Sequence, residues 1–394
     1  MKNLLKNNDM VYYVTATSTK HIESLRNKKN FKLILIPIEK RIRFLQIGKF
    51  IFGFRIRNII KKLIEKVKIE IIHINESFNP YYYLIKRIIS KHNKRVNLVI
   101  TAHGCTNLET KLTTECPTIS SFEKLAHKIY YPPLNITEKF NLGSANNIIA
   151  VTKGVLNHLI KIRKEFWKRK NGNINYKYIA NGIDLDVFTI REPDNYYLKK
   201  FKISKKDFII VFTGGLVTRK NPEFLIEVIY LLNKKKNLGR NFRLIFVGGG
   251  RLESYLRSLI KKYNLEDKIL MEGYTEFENI PKILSIADLM IFPSIYETPG
   301  LSMLEAMAMK IPIIGADQPD INEVITDNVN GFLFNLKRNP HGTIINKIEY
   351  ILKNPKDITK IIDNAYNDIQ NNYNLINTTN QVRNYYLNLL KKSN

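Results

Sequence analysis

Two carboxylates, Glu297 and Glu305, have seven residues between them and flank a turn that could bind a phosphorylated ligand. A short apolar run before the turn predicts a buried strand, and residues 301–309 after it have a helical pattern. Pro299 and Gly300 stand where that helix would begin, so unpaired backbone N–H groups there could bind an anion. The carboxylates could accept hydrogen bonds from ribose or sugar hydroxyls at the carboxyl end of a parallel sheet. Taken alone, such a pair is more often a loop carboxylate and a solvated helix residue.

Glycine turns follow two predicted strands in the second half of the chain. Gly214 and Gly215 follow the apolar run 208–213, while Gly248 and Gly249 follow the next one. Such turns suit a nucleotide diphosphate, because their backbone N–H groups can surround the phosphates. Glycine turns are also common wherever strands and helices pack closely, so this signal is weak on its own.

Three side chains near the ends of predicted strands could supply charge or hydrogen bonds. Arg219 and Lys220 stand just before a predicted helix. Such a pair is usually solvated, but the glycine turn before it favours contact with phosphate. His103 follows the predicted strand 98–101 and precedes Gly104, where it could donate a hydrogen bond to a substrate hydroxyl. A single histidine is more often structural.

The elements that must position these residues alternate along the chain. Apolar runs typical of buried strands are separated by helical patterns and glycine turns, most regularly after residue 208. This alternation predicts a parallel, doubly wound sheet, and 394 residues are enough for two domains. Residues 106–143, which include Pro132 and Pro133, are predicted to be irregular. Strands are predicted at residues 10–15, 31–38, 69–74, 98–101, 147–151, 208–213, 242–247, 269–273, 289–292 and 311–314.

The chain is strongly basic, and the charge is uneven. Its formal net charge is +28, and the first hundred residues contain 22 Lys and Arg against 6 Asp and Glu. Charge alone is weak evidence for nucleic-acid binding, and no recognition motif accompanies it. Two cysteines, Cys105 and Cys116, exclude a disulfide framework and fit a reducing compartment. Neither a signal peptide nor a run of ~18 apolar residues is visible, which predicts a cytoplasmic protein.

Residues 40–68 predict a basic helix, interrupted near Gly48 and Gly53. Apolar residues are more numerous here than one core-facing stripe needs, and lysines and arginines are interspersed among them. This composition is typical of a helix that lies on an anionic bilayer surface. A helix that packs on the sheet with a solvated basic face is an equally good interpretation.

The turn containing Glu297 resembles the E-x7-E signature of the retaining glycosyltransferases of family GT4. The likeness extends to neighbouring segments, with A-D-x4-P-S at 287–294, L-E-A-M-A at 304–308 and N-G-F-L at 330–333. Residues 178–188 resemble the segment that joins the two domains in this family. The resemblance implies an α/β protein of the GT-B fold, in which two Rossmann-like doubly wound parallel-sheet domains face each other across a cleft.

The resemblance also implies domain boundaries. Residues 1–178 would form an acceptor-binding domain and residues 179–375 a nucleotide-sugar-binding domain, while residues 376–394 would form a helix that crosses back onto the first domain. Family members begin with a strand and a Gly-Gly loop, but no glycine precedes Gly48 here. The first strand and its loop are therefore predicted to be missing or built differently.

The resemblance assigns roles to the residues singled out above. It implies a catalytic set of Glu297, Lys220, Arg219 and His103, with the two cations at the diphosphate and the other two side chains at the donor sugar. Gly215 stands where the family has an arginine, for which the neighbouring Arg219 could compensate. The implied residues that bind the nucleotide sugar are Glu305 at the ribose and Gly214, Gly215, Gly248, Gly249, Thr298, Pro299, Gly300 and Leu301.

The expected function is transfer of a sugar from a UDP- or GDP-sugar to a glycan or lipid-linked acceptor. This would serve lipopolysaccharide, capsule or other surface polysaccharide synthesis at the inner face of the cytoplasmic membrane. The expected partners are the nucleotide sugar, the acceptor and an anionic membrane surface, without nucleic acid. No metal is implied, and Asp184-x-Asp186 is not interpreted as a metal site. The alternative is a catalytically weakened nucleotide-sugar-binding or scaffold protein of the same fold.

Overall fold

A computed structural model describes most of the chain. The described residues are 11–15, 31–35, 46–67, 69–75, 82–91, 96–116, 121–166, 174–235, 238–298 and 300–393. The elements of the first half, in chain order, are β1 (Val11–Thr15), β2 (Phe31–Leu35), α1 (Gln46–Lys66), β3 (Ile71–Ile74), α2 (Tyr82–Lys91), β4 (Asn97–Ala102), α3 (Thr106–Glu115), α4 (Ser121–Ser144), β5 (Asn147–Ala150), α5 (Lys153–Phe166) and β6 (Asn175–Tyr178).

The second half continues the alternation of strands and helices that its sequence predicts. Short 3-10 turns at Thr218–Lys220 and Phe277–Asn279 precede two of its helices. Its elements are α6 (Asn195–Lys200), β7 (Asp207–Thr213), α7 (Pro222–Lys234), β8 (Asn241–Val247), α8 (Glu253–Lys262), β9 (Ile269–Gly273), α9 (Ile280–Leu284), β10 (Leu289–Phe292), α10 (Leu301–Ala308), β11 (Ile313–Ala316), β12 (Phe332–Phe334), α11 (Pro340–Lys353), α12 (Pro355–Asn372) and α13 (Leu375–Ser393).

Each half contains a parallel sheet. The described strands of the first half form a four-stranded sheet in the order β3-β4-β5-β6 and a separate parallel pair, β1-β2. The second half has a six-stranded sheet in the order β12-β11-β10-β7-β8-β9. Every residue of β7 and β10 is buried, as expected for parallel strands covered by helices on both faces. Two doubly wound sheets confirm the predicted fold class.

The order of the six-stranded sheet fixes where a ligand can bind. From β7 the chain moves to β8 and β9 on one side, and then returns to β10 on the other side. The carboxyl ends of β7 and β10 therefore diverge into a crevice, which is the usual ligand site of an open α/β sheet.

The chain passes between the two halves twice, at adjacent points. Ile183 donates its backbone N–H to the carbonyl of Tyr373 at 2.7 Å and accepts from the N–H of Leu375 at 2.9 Å. A Cβ on Gly182 would lie 2.6 Å from the Cα of Leu375, so only glycine allows this approach. The two crossing segments therefore pack directly on each other.

The last helix returns to the first half. Tyr385 and Leu389 of α13 pack against Val99 of β4 and Ile149 of β5. The hydroxyl of Tyr385 donates to the carbonyl of Asn175 at 2.8 Å. These contacts attach α13 to the first sheet, although the domain boundaries themselves stay a prediction.

The prediction of irregular structure at 106–143 is wrong. The helices α3 and α4 occupy most of this segment, and α4 continues through both Pro132 and Pro133. Each proline removes one intrahelical hydrogen bond, which usually ends or kinks a helix. Here tertiary contacts hold the helix, because buried Glu138 of α4 accepts the backbone N–H of Thr106 at 2.9 Å and its hydroxyl at 2.6 Å.

The predicted interruption of the basic helix is also wrong. The helix α1 runs from Gln46 to Lys66 without a break, while residues 40–45 lie outside the described residues. Where its side chains are described, Ile56, Ile60 and Ile64 are buried in the core of the first half, and Lys61 is exposed. This spacing of four residues is that of a core-facing stripe. No helix in the described part of the chain is long and apolar enough to cross a bilayer.

Candidate active site

Glu297 lies just after β10 and is paired with two cations. Its carboxylate contacts the Lys220 ammonium, and its other oxygen lies 3.5 Å from Nη1 of Arg219. The hydroxyl of Ser294 donates to Glu297 at 3.3 Å. Glu297 and Lys220 are each only 7% exposed. The three charged residues predicted for catalysis therefore form one cluster, at the switch point between β7 and β10.

The turn after β7 brings the cations to this point. Lys220 ends a short 3-10 turn, and the backbone carbonyl of Arg219 accepts the N–H of Ile295 at 2.8 Å. This bond ties the turn after β7 to the loop after β10. Gly214 has a φ of +142°, and a Cβ on it would lie 3.9 Å from Cε of Lys220. The glycine turn and the ammonium therefore face the same space.

The glycine turns after β7 and β8 pack directly against each other. A Cβ on Gly248 would lie 2.1 Å from the carbonyl oxygen of Gly214, and Gly248 has a φ of +131°. The N–H of Leu216 donates to the carbonyl of Gly249 at 3.0 Å. Gly248 is thus required for packing, whereas a Cβ on Gly214 would meet only Lys220 and a Cβ on Gly215 would meet only Val217.

The helix α10 begins beside Glu297, as the sequence predicts. Gly300 occupies the N-cap position, and no side chain caps the helix. A Cβ on Gly300 would lie 3.1 Å from Cδ of Glu297, so glycine keeps the helix start close to the carboxylate. Thr298 is half-buried and Leu301 is 49% exposed, while Pro299 lies outside the described residues. An uncapped helix start suits a phosphate or a sugar oxygen.

Glu305 lies on the buried side of α10 and is only 9% exposed. Burial raises its pKa to about 7, although the nearby Lys220 cation favours the ionised form. It is therefore not a solvated helix residue. A carboxyl group in this position can change its protonation state near neutral pH.

The loop that carries His103 meets the loop that carries Glu297. The backbone N–H of Cys105 donates to the hydroxyl of Tyr296 at 2.7 Å. A Cβ on Gly104 would lie 3.2 Å from that hydroxyl and 3.4 Å from Cγ2 of Thr298. His103 keeps an exposed edge, while desolvation lowers its pKa and favours the neutral imidazole. The first half thus contributes a histidine to the edge of the cleft.

Several residues at the cleft were missed by sequence reasoning. Glu109 of α3 lies 4.0 Å from Nε of Arg219, across the two halves. Glu323 accepts the backbone N–H groups of Lys153 and Gly154, at 2.8 and 2.5 Å, and so caps α5 from the other half. No local motif distinguishes these residues, because their partners are distant in the sequence.

Asp320 is a second acidic residue at the start of α5. It is 1% exposed, and a Cβ on Gly154 would lie 2.7 Å from one of its oxygens. Burial raises the pKa of Asp320 to about 6, and the charges of Glu323 and Glu297 act in the same direction. Two carboxyl groups of the second half therefore meet the amino end of one helix of the first half.

The Asp184-x-Asp186 segment forms a turn. A carboxylate oxygen of Asp184 accepts the backbone N–H of Asp186 at 3.1 Å. Across the described residues, no group of three or more His, Cys, Asp or Glu side chains is arranged to hold a metal ion.

Two family models match consecutive parts of the chain. The model described as Glycosyltransferase Family 4 matches residues 2–187. The model described as Glycosyl transferases group 1 matches residues 195–368. The site described above takes its cations, its glycine turns and both carboxylates from the second match, and His103 from the first.

Known proteins resemble the chain in sequence and in fold. The alpha-D-kanosaminyltransferase of Streptomyces kanamyceticus is 28% identical over 40% of this chain and 39% of its own length. The UDP-Gal:alpha-D-GlcNAc-diphosphoundecaprenol alpha-1,3-galactosyltransferase of Escherichia coli is 26% identical over 54% of each chain. The chain thus spans about half the length of these relatives or less. The solved structure of Anabaena HepE in complex with UDP-glucose superposes with a TM-score of 0.72, at 15% identity, over 97% of this chain and 94% of that one.

The fold and the matches agree with each other. The two family models together account for nearly all of both halves, and the structural neighbour has the same two-sheet architecture along almost its full length. The chain therefore belongs to the family 4 (group 1) glycosyltransferases, which have the GT-B fold.

Proposed function

We propose that this protein is a retaining glycosyltransferase that moves a sugar from a nucleotide-sugar donor to a glycan or lipid-linked acceptor. The observation that carries the proposal is the cluster of Lys220, Arg219 and Glu297 beside the glycine turn and the uncapped start of α10. This arrangement places positive charge and backbone donors at the switch point of the sheet, where α/β proteins bind nucleotides.

The leaving group of the reaction is a nucleoside diphosphate. Lys220 and Arg219 would stabilise the negative charge that grows on it, together with the backbone of Gly214. The family has an arginine at the position of Gly215. Arg219 would take over its role, since the Arg219 guanidinium already reaches the loop after β10. We propose that these two cations make a metal ion unnecessary.

The remaining residues would position the sugar and the nucleoside. Glu297 and His103 would hold the donor sugar, and Glu305 would accept hydrogen bonds from the ribose. In the transfer, the bond between the anomeric carbon and the diphosphate oxygen breaks, and the acceptor oxygen bonds to that carbon from the same face. The proton of the acceptor hydroxyl passes to an oxygen of the departing phosphate.

We propose a UDP-sugar as the first donor to test, and a GDP-sugar as the second. The choice is supported by the UDP-glucose in the HepE structure and by the UDP-galactose in the name of the Escherichia coli relative. That relative uses a sugar on diphosphoundecaprenol, so a lipid-linked acceptor is proposed here. Synthesis of lipopolysaccharide, capsule or another surface polysaccharide would place the protein peripherally on the inner face of the cytoplasmic membrane.

Donor binding and turnover test the proposal. We expect UDP-glucose, UDP-galactose or a GDP-sugar to raise the melting temperature of the purified chain, and slow hydrolysis to the free diphosphate to be measurable. Lys220→Ala and Glu297→Ala should each lower that turnover by about 100-fold or more, because each removes a charge at the reacting centre.

Two substitutions of the same types serve as controls. Lys205 and Glu266 are exposed and precede β7 and β9, at the opposite edge of the sheet from the site. Lys205→Ala and Glu266→Ala should leave binding and turnover unchanged. If no nucleotide sugar stabilises or reacts with the wild-type chain, the transferase proposal is wrong.

A second candidate function is that of a nucleotide-sugar-binding scaffold. Gly215, at the position of the family arginine, favours it. In that case the donors would stabilise the chain through the same residues, while no donor would be hydrolysed or transferred to any acceptor.

A further inference from the structure

The helix α4 exposes an apolar stripe to solvent. Leu125 is 55% exposed, Ile129 64%, Ile136 69% and Phe140 43%. At about 100° of rotation per residue, these four positions fall within about 60° of one another around the helix. The stripe therefore occupies one face of α4, and the same face carries the exposed Pro132.

A second helix extends this stripe. Tyr83 of α2 is 48% exposed, and its ring meets the ring of Phe140 edge-on, with the ring centroids 5.5 Å apart. We call these five residues, Leu125, Ile129, Ile136, Phe140 and Tyr83, the apolar face. Large apolar side chains exposed together on one face mark an interaction site more often than singly scattered ones do.

Basic side chains border the apolar face. Lys128 is exposed on α4, about 60° beyond the edge of the stripe at Leu125, and Arg87 is exposed on α2, one turn after Tyr83. An apolar face with lysine and arginine at its edge is complementary to an anionic lipid surface, since the acyl region takes the apolar groups and the headgroups take the cations. The net charge of +28 also favours binding to an anionic surface.

The opposite side of α4 is tied to the cleft. Glu138, which lies on the far side of the helix from the stripe, is buried and holds the first residue of α3, Thr106. Thr106 follows His103 by three residues, and Glu109 of α3 reaches Arg219. A surface bound to the apolar face would thus lie one helix away from the candidate active site.

We propose that the apolar face is the surface by which this chain lies on an anionic bilayer. In α1, Ile56, Ile60 and Ile64 belong to the core, so these three residues do not supply the apolar contact. Only the use of this membrane contact, which is access to a lipid-linked acceptor, rests on the proposed function.

Vesicle binding by the full chain tests this proposal. The probes are vesicles of phosphatidylcholine with 30% phosphatidylglycerol and vesicles of phosphatidylcholine alone, in a flotation assay. We expect binding to the anionic vesicles to exceed binding to the neutral ones. The double variant Ile129→Asp/Ile136→Asp should lower the partition onto anionic vesicles by at least about tenfold, since two apolar contacts are lost.

A matched double variant controls for general effects of added charge. Ile190 and Ile376 are 53% and 52% exposed and lie outside the apolar face. Ile190→Asp/Ile376→Asp should bind vesicles as the wild type does. Equal melting temperatures of the two double variants would show that both remain folded.

Several outcomes would overturn the proposal. These are absence of wild-type binding to anionic vesicles, equal binding to both kinds of vesicle, and equal loss in both double variants. A dimer in light scattering without lipid, dissociated only by Ile129→Asp/Ile136→Asp, would assign the face to a second copy. Donor hydrolysis, measured without lipid, separates this proposal from the transferase proposal: either can fail while the other stands.

Discussion

The two carboxylates of the turn after β10 have different environments. Glu297 is paired with Lys220 and Arg219 and receives a hydrogen bond from Ser294. Among the described residues Glu305 forms no ion pair, although Lys220 is nearby, and burial raises its pKa to about 7. Spacing alone does not distinguish them, but their surroundings do: Glu297 is paired with two cations, while Glu305 is buried and suits a role that depends on pH.

The raised pKa of Glu305 predicts pH-dependent donor binding. Below about pH 7 the group is protonated and accepts fewer hydrogen bonds from the ribose hydroxyls; above it, the carboxylate can accept two. We expect the affinity for UDP-glucose, whose diphosphate does not titrate in this range, to rise about tenfold between pH 6 and pH 8. Isothermal titration at several pH values would measure this change.

Glu305→Gln is the control for this prediction. The amide has a similar size, can still accept one hydrogen bond and does not titrate. Its affinity should be flat over the same pH range. A pH response that survives in Glu305→Gln would belong to another group, such as His103 or Asp320.

For single residues, the sequence predicted which charged side chains lie close together, but it did not predict their burial; their roles stay a prediction. The E-x7-E spacing and the glycine turn singled out Glu297, Glu305 and Lys220, because local chain geometry brings them to one end of the sheet. Glu109 and Glu323 carry no local signal, since each acts on a partner in the other half of the molecule.

Among the elements, the packed glycine turns after β7 and β8 are the most sensitive to substitution. Gly248→Ala would place a methyl group 2.1 Å from the carbonyl oxygen of Gly214 and would strain a backbone with a φ of +131°. We expect a loss of about 3 kcal/mol or more in the free energy of unfolding, measured with urea. Donor binding should weaken as well, because the turn beside Lys220 must move.

The neighbouring glycine supplies the comparison. A Cβ on Gly249 would meet only a carboxylate oxygen of Glu253, at 3.9 Å. Gly249→Ala should therefore change the free energy of unfolding by less than about 1 kcal/mol. Similar losses in both variants would mean that the two turns do not pack as described.

The helices show how far local patterns determine an element. The strands and helices predicted between residues 208 and 314 occur in that order, because they have apolar runs or periods bounded by glycine or proline, whereas α6, β12 and α11 were not predicted. The helix α4 forms although prolines normally end or kink a helix, since Pro132 and Pro133 lie inside it. Its buried side is held by residues such as Glu138, and no window of local sequence shows that support.

For the whole molecule, the contact of Glu323 with α5 links the two halves across the cleft. Glu323→Ala would remove two hydrogen bonds to the amino end of that helix. Loss of such a cap costs about 1 kcal/mol, so the ratio of molecules whose two halves have separated at the cleft to molecules whose halves meet there should rise about fivefold. Small-angle X-ray scattering of the chain without ligand should show a larger radius of gyration.

Glu266→Ala, which lies at the other edge of the second sheet, should leave the radius of gyration unchanged. If Glu323→Ala has the dimensions of the wild type, the contact does not govern closure. The sequence could predict two domains from length and alternation, but this cap depends on residues 170 positions apart, which local patterns cannot connect.

The return of α13 to the first sheet has a consequence for biosynthesis. A ribosome releases β4 and β5 early, but the side chains of Tyr385 and Leu389 that cover them emerge only after the whole second half. The strands β7 to β12 are contiguous in the sequence, so the second half can fold as soon as it is made. At about 5–20 residues per second, the uncovered face of the first sheet waits roughly 12–48 s for its last helix. The nascent chain therefore exposes Val99 and Ile149 to chaperones throughout that interval.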